Sequence, residues 1–137
     1  MKELTLAATV ENLARVLEFV DEELEACGCP PRAGMQIDVA VEELFVNIAR
    51  YAYQPGTGEA TIRFERREDP SRAEVEITFL DRGVPYDPLA KADPDVSLPA
   101  EEREIGGLGI YMVKKSMDDV AYAYRDGQNV LTIRKNF

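Results

Sequence analysis

A short glycine-rich run is the part of this sequence most suited to binding phosphate. Gly106, Gly107 and Gly109 surround Leu108 at the point where a short helix is predicted to begin. Glycines at a helix start expose backbone N–H groups, and the positive end of the helix dipole favours an anion there. A flexible hinge is the alternative interpretation. The run matches neither G-x-x-x-x-G-K-[ST] nor G-x-G-x-x-G after a strand, so two familiar nucleotide-binding loops are not indicated.

An acid and an amide lie four positions apart on another predicted helix. Because residues four apart line up along a helix axis, Glu43 and Asn47 project from the same face and can share one site. Glu42 points about 100° away around the axis and is interpreted as a solvated charge. The spacing is also compatible with a surface hydrogen-bonded pair, so other features must decide between the two.

A third feature, Asp81-Arg82-Gly83, directly follows a strand pattern with an apolar body. A carboxylate here sits at the edge of the sheet, and the glycine lets another group approach the backbone closely. A plain turn at the end of the strand is the alternative interpretation.

Composition excludes several classes of protein. The chain has 16 basic and 26 acidic residues, a net charge of −10, which repels polyphosphate backbones and anionic lipid. Nucleic acid and membranes are therefore not expected partners. The chain has no histidine, which excludes a phosphohistidine relay, a Ser-His-Asp triad and His-ligated metal. Cys27 and Cys29 are too close for an ordinary disulfide and are predicted to be free thiols.

Length and hydropathy predict one domain over residues 1–137, of which 45% are apolar. The first residues lack a basic region followed by an apolar stretch, and no run approaches the roughly 18 apolar residues of a membrane span. A cytoplasmic protein is expected.

Hydrophobic periodicity predicts the elements that must position these groups. The chain opens with a short strand of period two and continues as a helix over Val10–Cys27, with Thr9 as its N-cap and Gly28 as its stop. Residues 28–34 are predicted to form a loop, and a second helix follows and ends near Tyr53.

The second half of the chain is predicted to consist mainly of strands. Thr61–Arg67 and Ala73–Leu80 form an antiparallel pair, and Val120–Tyr124 pairs with Val130–Arg134 in a final hairpin. Asp81–Ile105, about 25 residues, has no clear period and is typical of a functional or mobile loop. The order β, α, α, β, β, loop, α, β, β predicts an α+β fold, a two-layer sandwich with helices on one face of a largely antiparallel sheet.

Taken in order, the three features resemble those of one family. Glu43-Leu44-Phe45-Val46-Asn47 resembles the N box of the GHKL ATP-binding superfamily, Asp81-Arg82-Gly83 its first glycine box, and Gly107-Leu108-Gly109 its second. The segments 106–119 and 129–135 are most similar to the anti-sigma-factor serine kinases of the RsbW type. The resemblance covers nearly the whole chain. It implies the Bergerat fold, a two-layer α/β sandwich with a mixed, mostly antiparallel sheet.

The resemblance also implies binding of ATP and Mg²⁺, with roles for residues on the phosphate side. Glu43 would act as general base toward a Ser or Thr hydroxyl, and Asn47 would ligate magnesium. The segment Gly106-Gly107-Leu108-Gly109 would present N–H groups to the phosphates. Residues 82–106, approximately, would form the ATP lid.

On the adenine side, the resemblance implies that Asp81 accepts a hydrogen bond from the adenine amino group. Gly83 would leave room for the base, and Thr132 would complete the pocket directly or through a water. The sequence departs from the family in having Tyr51-Ala52 where His-Gly is usual after the N box.

The activity implied is an ATP-dependent serine/threonine protein kinase that phosphorylates a STAS-domain antagonist in a partner-switching system. A non-catalytic module gated by ATP and ADP is the alternative, because Ile105 occupies the place where such kinases often carry a basic residue. A GHKL hydrolase that activates water through Glu43 is a third hypothesis. Further partners that fit the resemblance are a sigma factor, a PP2C-type phosphatase in the same pathway, and a second copy of the chain.

Overall fold

Three helices and five strands form the described part of the chain. The computed structural model describes residues 1–69, 72–90 and 108–137. The helices are α1 (Leu13–Ala26), α2 (Pro31–Asn47) and α3 (Leu108–Ser116), and the strands are β1 (Lys2–Ala7), β2 (Glu59–Asp69), β3 (Arg72–Asp81), β4 (Asp119–Arg125) and β5 (Gln128–Asn136). The predicted order of elements is confirmed within these ranges.

The strands form one sheet in the order β1-β2-β3-β5-β4. Every recorded pairing is antiparallel, so this part of the chain realises the predicted largely antiparallel sheet without a parallel pair. β3 lies at the centre, where Ile77 pairs with Phe64 on one side and Ile133 on the other. The C-terminal end of β3 therefore meets the N-terminal end of β5, which brings Asp81 opposite Asn129.

The two faces of the sheet differ in polarity because strand residues alternate between them. The inner face is apolar and packs against the helices, with Ile62, Phe79 and Ile133 almost completely buried. The outer face carries ion pairs such as Arg134 to Glu76, with 2.7 Å between Nε and Oε2. One apolar face and one charged face explain why all three helices lie on the same side, which confirms the α+β two-layer fold.

The start of α2 differs from the prediction, whereas the end of this helical segment agrees with it. α2 begins at Pro31 rather than after Gly34, because proline at the first helical position loses no hydrogen bond and its φ already suits a helix. The other end continues beyond Asn47 as a wider π-helical turn, Ile48–Ala52. Gly28, with φ of +71°, follows the end of α1 as predicted.

Two carboxylates meet where α1 packs against α2. Burial and a hydrogen bond with Asp21 raise the pKa of Asp38 from 3.8 to about 7. The Oδ1 atom of Asp38 is buried without a partner among the described residues. Burial also raises the pKa of Cys29, which like Cys27 is a free, half-buried thiol.

We expect Asp38→Asn to stabilise the protein at neutral and alkaline pH. Between pH 3.8 and about 7, folded Asp38 keeps a proton that the unfolded chain has lost, so its contribution to stability falls as pH rises through this window. The amide cannot ionise, so the free energy of unfolding of the variant should fall less across this window. Urea denaturation from pH 4 to pH 8 measures the difference. Glu22→Gln, at an exposed position on α1, is the control and should leave the profile unchanged.

None of the helices in the described residues is both long and apolar enough to cross a membrane.

Candidate functional site

A cavity opens between the C-terminal end of α2 and the inner face of the sheet. Its walls are mostly apolar with a few polar groups, the usual composition of a small-molecule site. Asn47 and Asp81, far apart in sequence and both predicted site residues, line this cavity together. Its lining residues are Leu44, Asn47, Ile48, Ala52, Phe79, Asp81, Val84, Tyr86, Pro88, Tyr122, Asn129 and Leu131.

Asp81 is the last residue of β3, and only 6% of its surface is exposed. Its Oδ1 atom accepts hydrogen bonds from the Gly83 backbone N–H and the Asn129 side-chain amide, each at 2.9 Å. Both recorded bonds go to Oδ1, so within the described residues Oδ2 has no donor. A buried carboxylate with one oxygen held and the other without a donor can accept a hydrogen bond from a ligand.

Asn129 lines the cavity and holds Asp81, and the sequence analysis missed it. Besides its bond to Asp81, its Nδ2 donates to the Val84 carbonyl oxygen at 2.9 Å. Its Oδ1 accepts hydrogen bonds from the Tyr122 hydroxyl and from the Tyr86 backbone N–H. One side chain therefore fixes the carboxylate, the chain that leaves β3 and a tyrosine of β4. The signal for it is the strand alternation that places Leu131 on the inner face, since Asn129 lies two residues earlier on the same face.

Thr132 does not lie in the cavity, and the role assigned to it is wrong. It pairs with Thr78 on β3, and their hydroxyl oxygens are 3.4 Å apart on the outer face of the sheet. Leu131 and Ile133 on either side point to the core, so alternation sends Thr132 to the opposite face. The residue of β5 that reaches Asp81 is Asn129.

Gly83 makes room for protein backbone rather than for a ligand ring. A Cβ at this position would overlap the carbonyl group of Ala52, which ends the π-helical turn. The same carbonyl oxygen accepts a hydrogen bond from the Val84 N–H at 2.9 Å. The segment after β3 is thus held against the end of the α2 region, and a side chain at 83 would force them apart.

Glu43 lies at the first turn of α3, and Asn47 lies one turn further along α2. A Cβ at Gly109 would overlap the Glu43 carboxylate, so the absence of a side chain at 109 allows this close approach. The structure therefore brings Glu43, Asn47 and the start of α3 together. Leu108 is the first residue of α3, whereas Gly106 and Gly107 lie outside the described residues.

Three tyrosines surround the mouth of the cavity. Tyr122 accepts a hydrogen bond from the Tyr86 N–H at 3.2 Å, and burial raises the pKa of Tyr122. Tyr86 also faces Tyr51, with ring centroids 6.4 Å apart and planes tilted by 44°. This geometry is favourable for an aromatic pair. Both rings are about half exposed, so they can border a flat ligand that enters the cavity.

Replacing Asn129 with aspartate should destabilise the fold mainly through Asp81. The variant Asn129→Asp loses the amide donor and places a second carboxylate against a buried one, so we expect the free energy of unfolding to fall by about 3 kcal/mol at pH 7. Urea denaturation at pH 7 measures the loss. Gln128→Glu adds the same charge on the outer face and should change stability little.

The side chains present fit a magnesium nucleotide. Asp81 offers a buried carboxylate oxygen beside an apolar slot suited to a base, and Asn47 offers a hard amide oxygen near the start of α3. Within the described ranges, no cluster of three or more acidic or thiol side chains could hold a metal ion. A single protein ligand is typical of Mg²⁺ that is bound mainly through phosphates and water.

Comparison with known proteins gives one consistent family. The family model described as "Histidine kinase-like ATPase domain" matches residues 6–135. A serine-protein kinase RsbW from Bacillus cereus is 31% identical over 127 residues, covering 90% of this chain and 71% of that protein. RsbW from another strain of Bacillus cereus is 33% identical over 118 residues, covering 79% and 71%.

A solved structure supports the fold independently. A chain in the crystal structure of the SiaB-SiaC complex from Pseudomonas aeruginosa matches with a TM-score of 0.56 and 18% identity, covering 98% of this chain and 89% of that one. At this identity the match bears on the fold alone. The family model spans residues 43–47, 81–83 and 107–109, the segments that resemble the N box and both glycine boxes. The chain therefore belongs to the histidine kinase-like ATPase domain family and, within it, to the RsbW serine-protein kinases.

Proposed function

We propose that this protein is an ATP-dependent serine/threonine kinase that phosphorylates a STAS-domain protein in a partner-switching system. The observation that carries the proposal is the Glu43 carboxylate packed against the first turn of α3. One helical turn away, Asn47 borders the cavity. The part of the cavity that would bind the adenine base, called the base end below, contains the buried Asp81. A proton acceptor beside a phosphate-binding helix start, next to a slot for a base, is the arrangement that phosphoryl transfer to a hydroxyl needs.

Glu43 is the general base in this proposal. The serine or threonine oxygen of the partner forms a bond to the γ-phosphorus, the bond to the β-phosphate oxygen of ATP breaks, and ADP leaves. The hydroxyl proton passes to the Glu43 carboxylate. Asn47 would hold Mg²⁺, which would neutralise charge on the phosphates. Backbone N–H groups at the start of α3, from the segment 106–109, would hold the phosphate oxygens.

Asp81 determines which nucleobase binds in this proposal. Its Oδ2 would accept a hydrogen bond from the adenine amino group, while Asn129 and Gly83 hold Oδ1. Guanine presents a carbonyl oxygen at that position, which would face the carboxylate without a proton between them. A buried acceptor that meets another acceptor loses its hydrogen bond, so adenine is favoured.

The wider system follows the same proposal. Residues 82–106 would form the ATP lid, of which 91–106 lie outside the described residues. A sigma factor would be the partner released or captured according to the phosphorylation of the STAS-domain protein, and a PP2C-type phosphatase would reverse the modification. Because the reaction consumes ATP, the protein would act in the cytoplasm.

A second candidate function is a non-catalytic module whose affinity for partners depends on whether ATP or ADP is bound. It is favoured by Ile105, which stands where a basic residue could contact the terminal phosphate. In that case nucleotide binding would persist without modification of any partner.

One experiment separates the two functions. A STAS-domain protein from the same genome is incubated with this protein and Mg·ATP and then analysed by mass spectrometry. A single phosphorylated serine or threonine supports the kinase. An unmodified partner whose affinity for this protein differs between ATP and ADP supports the nucleotide-gated module instead.

A further inference from the structure

Exposed apolar side chains form a row next to Glu43. Met35 and Val39 on α2 are 70% and 53% exposed, and Met112 on α3 is 52% exposed. Side chains of this kind are usually buried, so a group of them on adjacent helices marks an interaction surface. Met35, Val39 and Met112 are called the α2–α3 seam below.

Helix geometry places the three side chains together. Met35, Val39 and Glu43 are spaced four apart and therefore share one face of α2. Gly109 packs against Glu43, and Met112, three positions later, is on the same face of α3. The residues 35, 39 and 43 and the residues 109 and 112 thus form two facing rows.

The two helices run in opposite directions. α2 ends near the cavity, where α3 begins, and α3 ends where the Ser116 carbonyl oxygen accepts a hydrogen bond from Lys135. Lys135 lies at the end of β5 remote from Asn129, hence remote from the cavity. Met112 is therefore one turn from Gly109 in the direction of Val39, and the row of α2 side chains from Glu43 to Met35 is roughly 12 Å long.

Positive charge lies at the far end of the seam. Arg32 is one turn before Met35, and Lys115 is one turn after Met112, and both are exposed. Lys115 lies over the ring of Tyr111, with its Nζ 5.5 Å from the centroid. On a chain of net charge −10, two cations beside an apolar strip favour a partner that presents carboxylates next to apolar side chains.

We propose that the α2–α3 seam is the docking surface for the protein substrate, whose serine or threonine is phosphorylated with Glu43 as general base. The proposal rests on the kinase function proposed above. A hydroxyl on a folded partner can come within hydrogen-bond distance of Glu43 only if the partner covers the surface around it, and the seam is the apolar part of that surface. The partner would place an apolar patch on Met35, Val39 and Met112 and an acidic group against Arg32 and Lys115. Methionine suits such a surface because its flexible side chain adapts to the partner.

The test uses Val39→Asp and Met112→Asp, with the STAS-domain protein as substrate. Each variant places a charge in the seam, so we expect the KM for the protein substrate to rise about tenfold or more. The kcat at saturating partner and the affinity for ATP should stay unchanged, which a general loss of structure would not allow. The control is Val10→Asp, a substitution at an exposed apolar position outside the seam, and its KM should match that of the unmodified chain.

Charge reversal tests the basic end of the seam separately. Arg32→Glu should raise the KM for the partner at low salt, and the effect should weaken as ionic strength increases. If an aspartate variant is less stable than the unmodified chain, Val39→Ser and Met112→Ser replace it and should give a smaller rise in KM.

The outcomes distinguish the two proposals. Without phosphate transfer by the unmodified chain, the kinase function itself is overturned. Transfer with an unchanged KM in the seam variants overturns the docking surface and leaves the kinase intact. If the unmodified chain is a dimer by light scattering, and Met112→Asp makes it monomeric without changing KM, the seam binds a second copy of the chain and the proposal is wrong.

Discussion

Glu43→Gln should abolish most phosphoryl transfer while leaving ATP binding nearly intact. The substitution keeps the shape of the side chain against Gly109 but removes its ability to accept a proton. Loss of a general base lowers the rate by about 10²- to 10⁴-fold, so kcat should fall by that factor. Nucleotide affinity should change little because the residues that line the base end of the cavity are untouched. Single-turnover transfer to the proposed STAS-domain partner and titration with ATP give the two quantities.

The neighbouring acid provides the matched control. Glu42 is exposed and points to another side of α2, so Glu42→Gln removes the same charge without reaching Gly109. Its rate should equal that of the unmodified chain. A full rate in Glu43→Gln would show that another group, or the phosphate itself, takes the proton.

Asp81→Asn should weaken ATP binding by about 10- to 100-fold, the value of one hydrogen bond to a charged group. The new side-chain oxygen can still accept from Gly83 and Asn129, so the local fold is kept. The amide would then present a donor to the adenine amino group, which is also a donor. The same amide can donate to the carbonyl oxygen of hypoxanthine or guanine, so the preference between ATP and ITP or GTP should shrink or reverse.

Calorimetric titration with ATP, ITP and GTP measures both effects. Asp87→Asn is the control, because it removes an exposed carboxylate from the segment that follows β3. It should leave the order of the three affinities unchanged. If Asp81→Asn binds all three nucleotides with the affinities of the unmodified chain, the Asp81 carboxylate does not distinguish adenine from the other bases.

Much of the site could be predicted because its residues stand at positions that the local pattern determines. The helix period alone puts Glu43 and Asn47 on one face of α2, and the apolar alternation of β3 ends at Asp81. The helix period does not give the distance from Glu43 and Asn47 to Asp81, because this distance depends on how α2 packs across the sheet. The resemblance to a family supplied that step.

The error at Thr132 shows how strand parity limits such reasoning. Shifting a strand by one residue exchanges its two faces. Because Val130 and Leu131 are both apolar, the sequence does not show which of the two faces the core at the start of β5. Only the register with β3, where Asp81 faces Asn129, resolves it. The sequence pattern also did not predict the π-helical turn Ile48–Ala52, whose last residue lies close to Gly83.

The contact between Gly83 and Ala52 has a consequence for inhibitor chemistry. Next to it, the Val84 N–H donates to the Ala52 carbonyl oxygen and holds the segment after β3 to the end of the α2 region. Asn129 holds the same segment to β5 through side-chain bonds, so the base end of the cavity is preorganised. A small heteroaromatic fragment with an exocyclic amine toward Asp81 would find its hydrogen-bond partner in place and meet little reorganisation cost. Such fragments, with no phosphate or metal-binding group, are a sound starting point for ATP-competitive ligands of this protein.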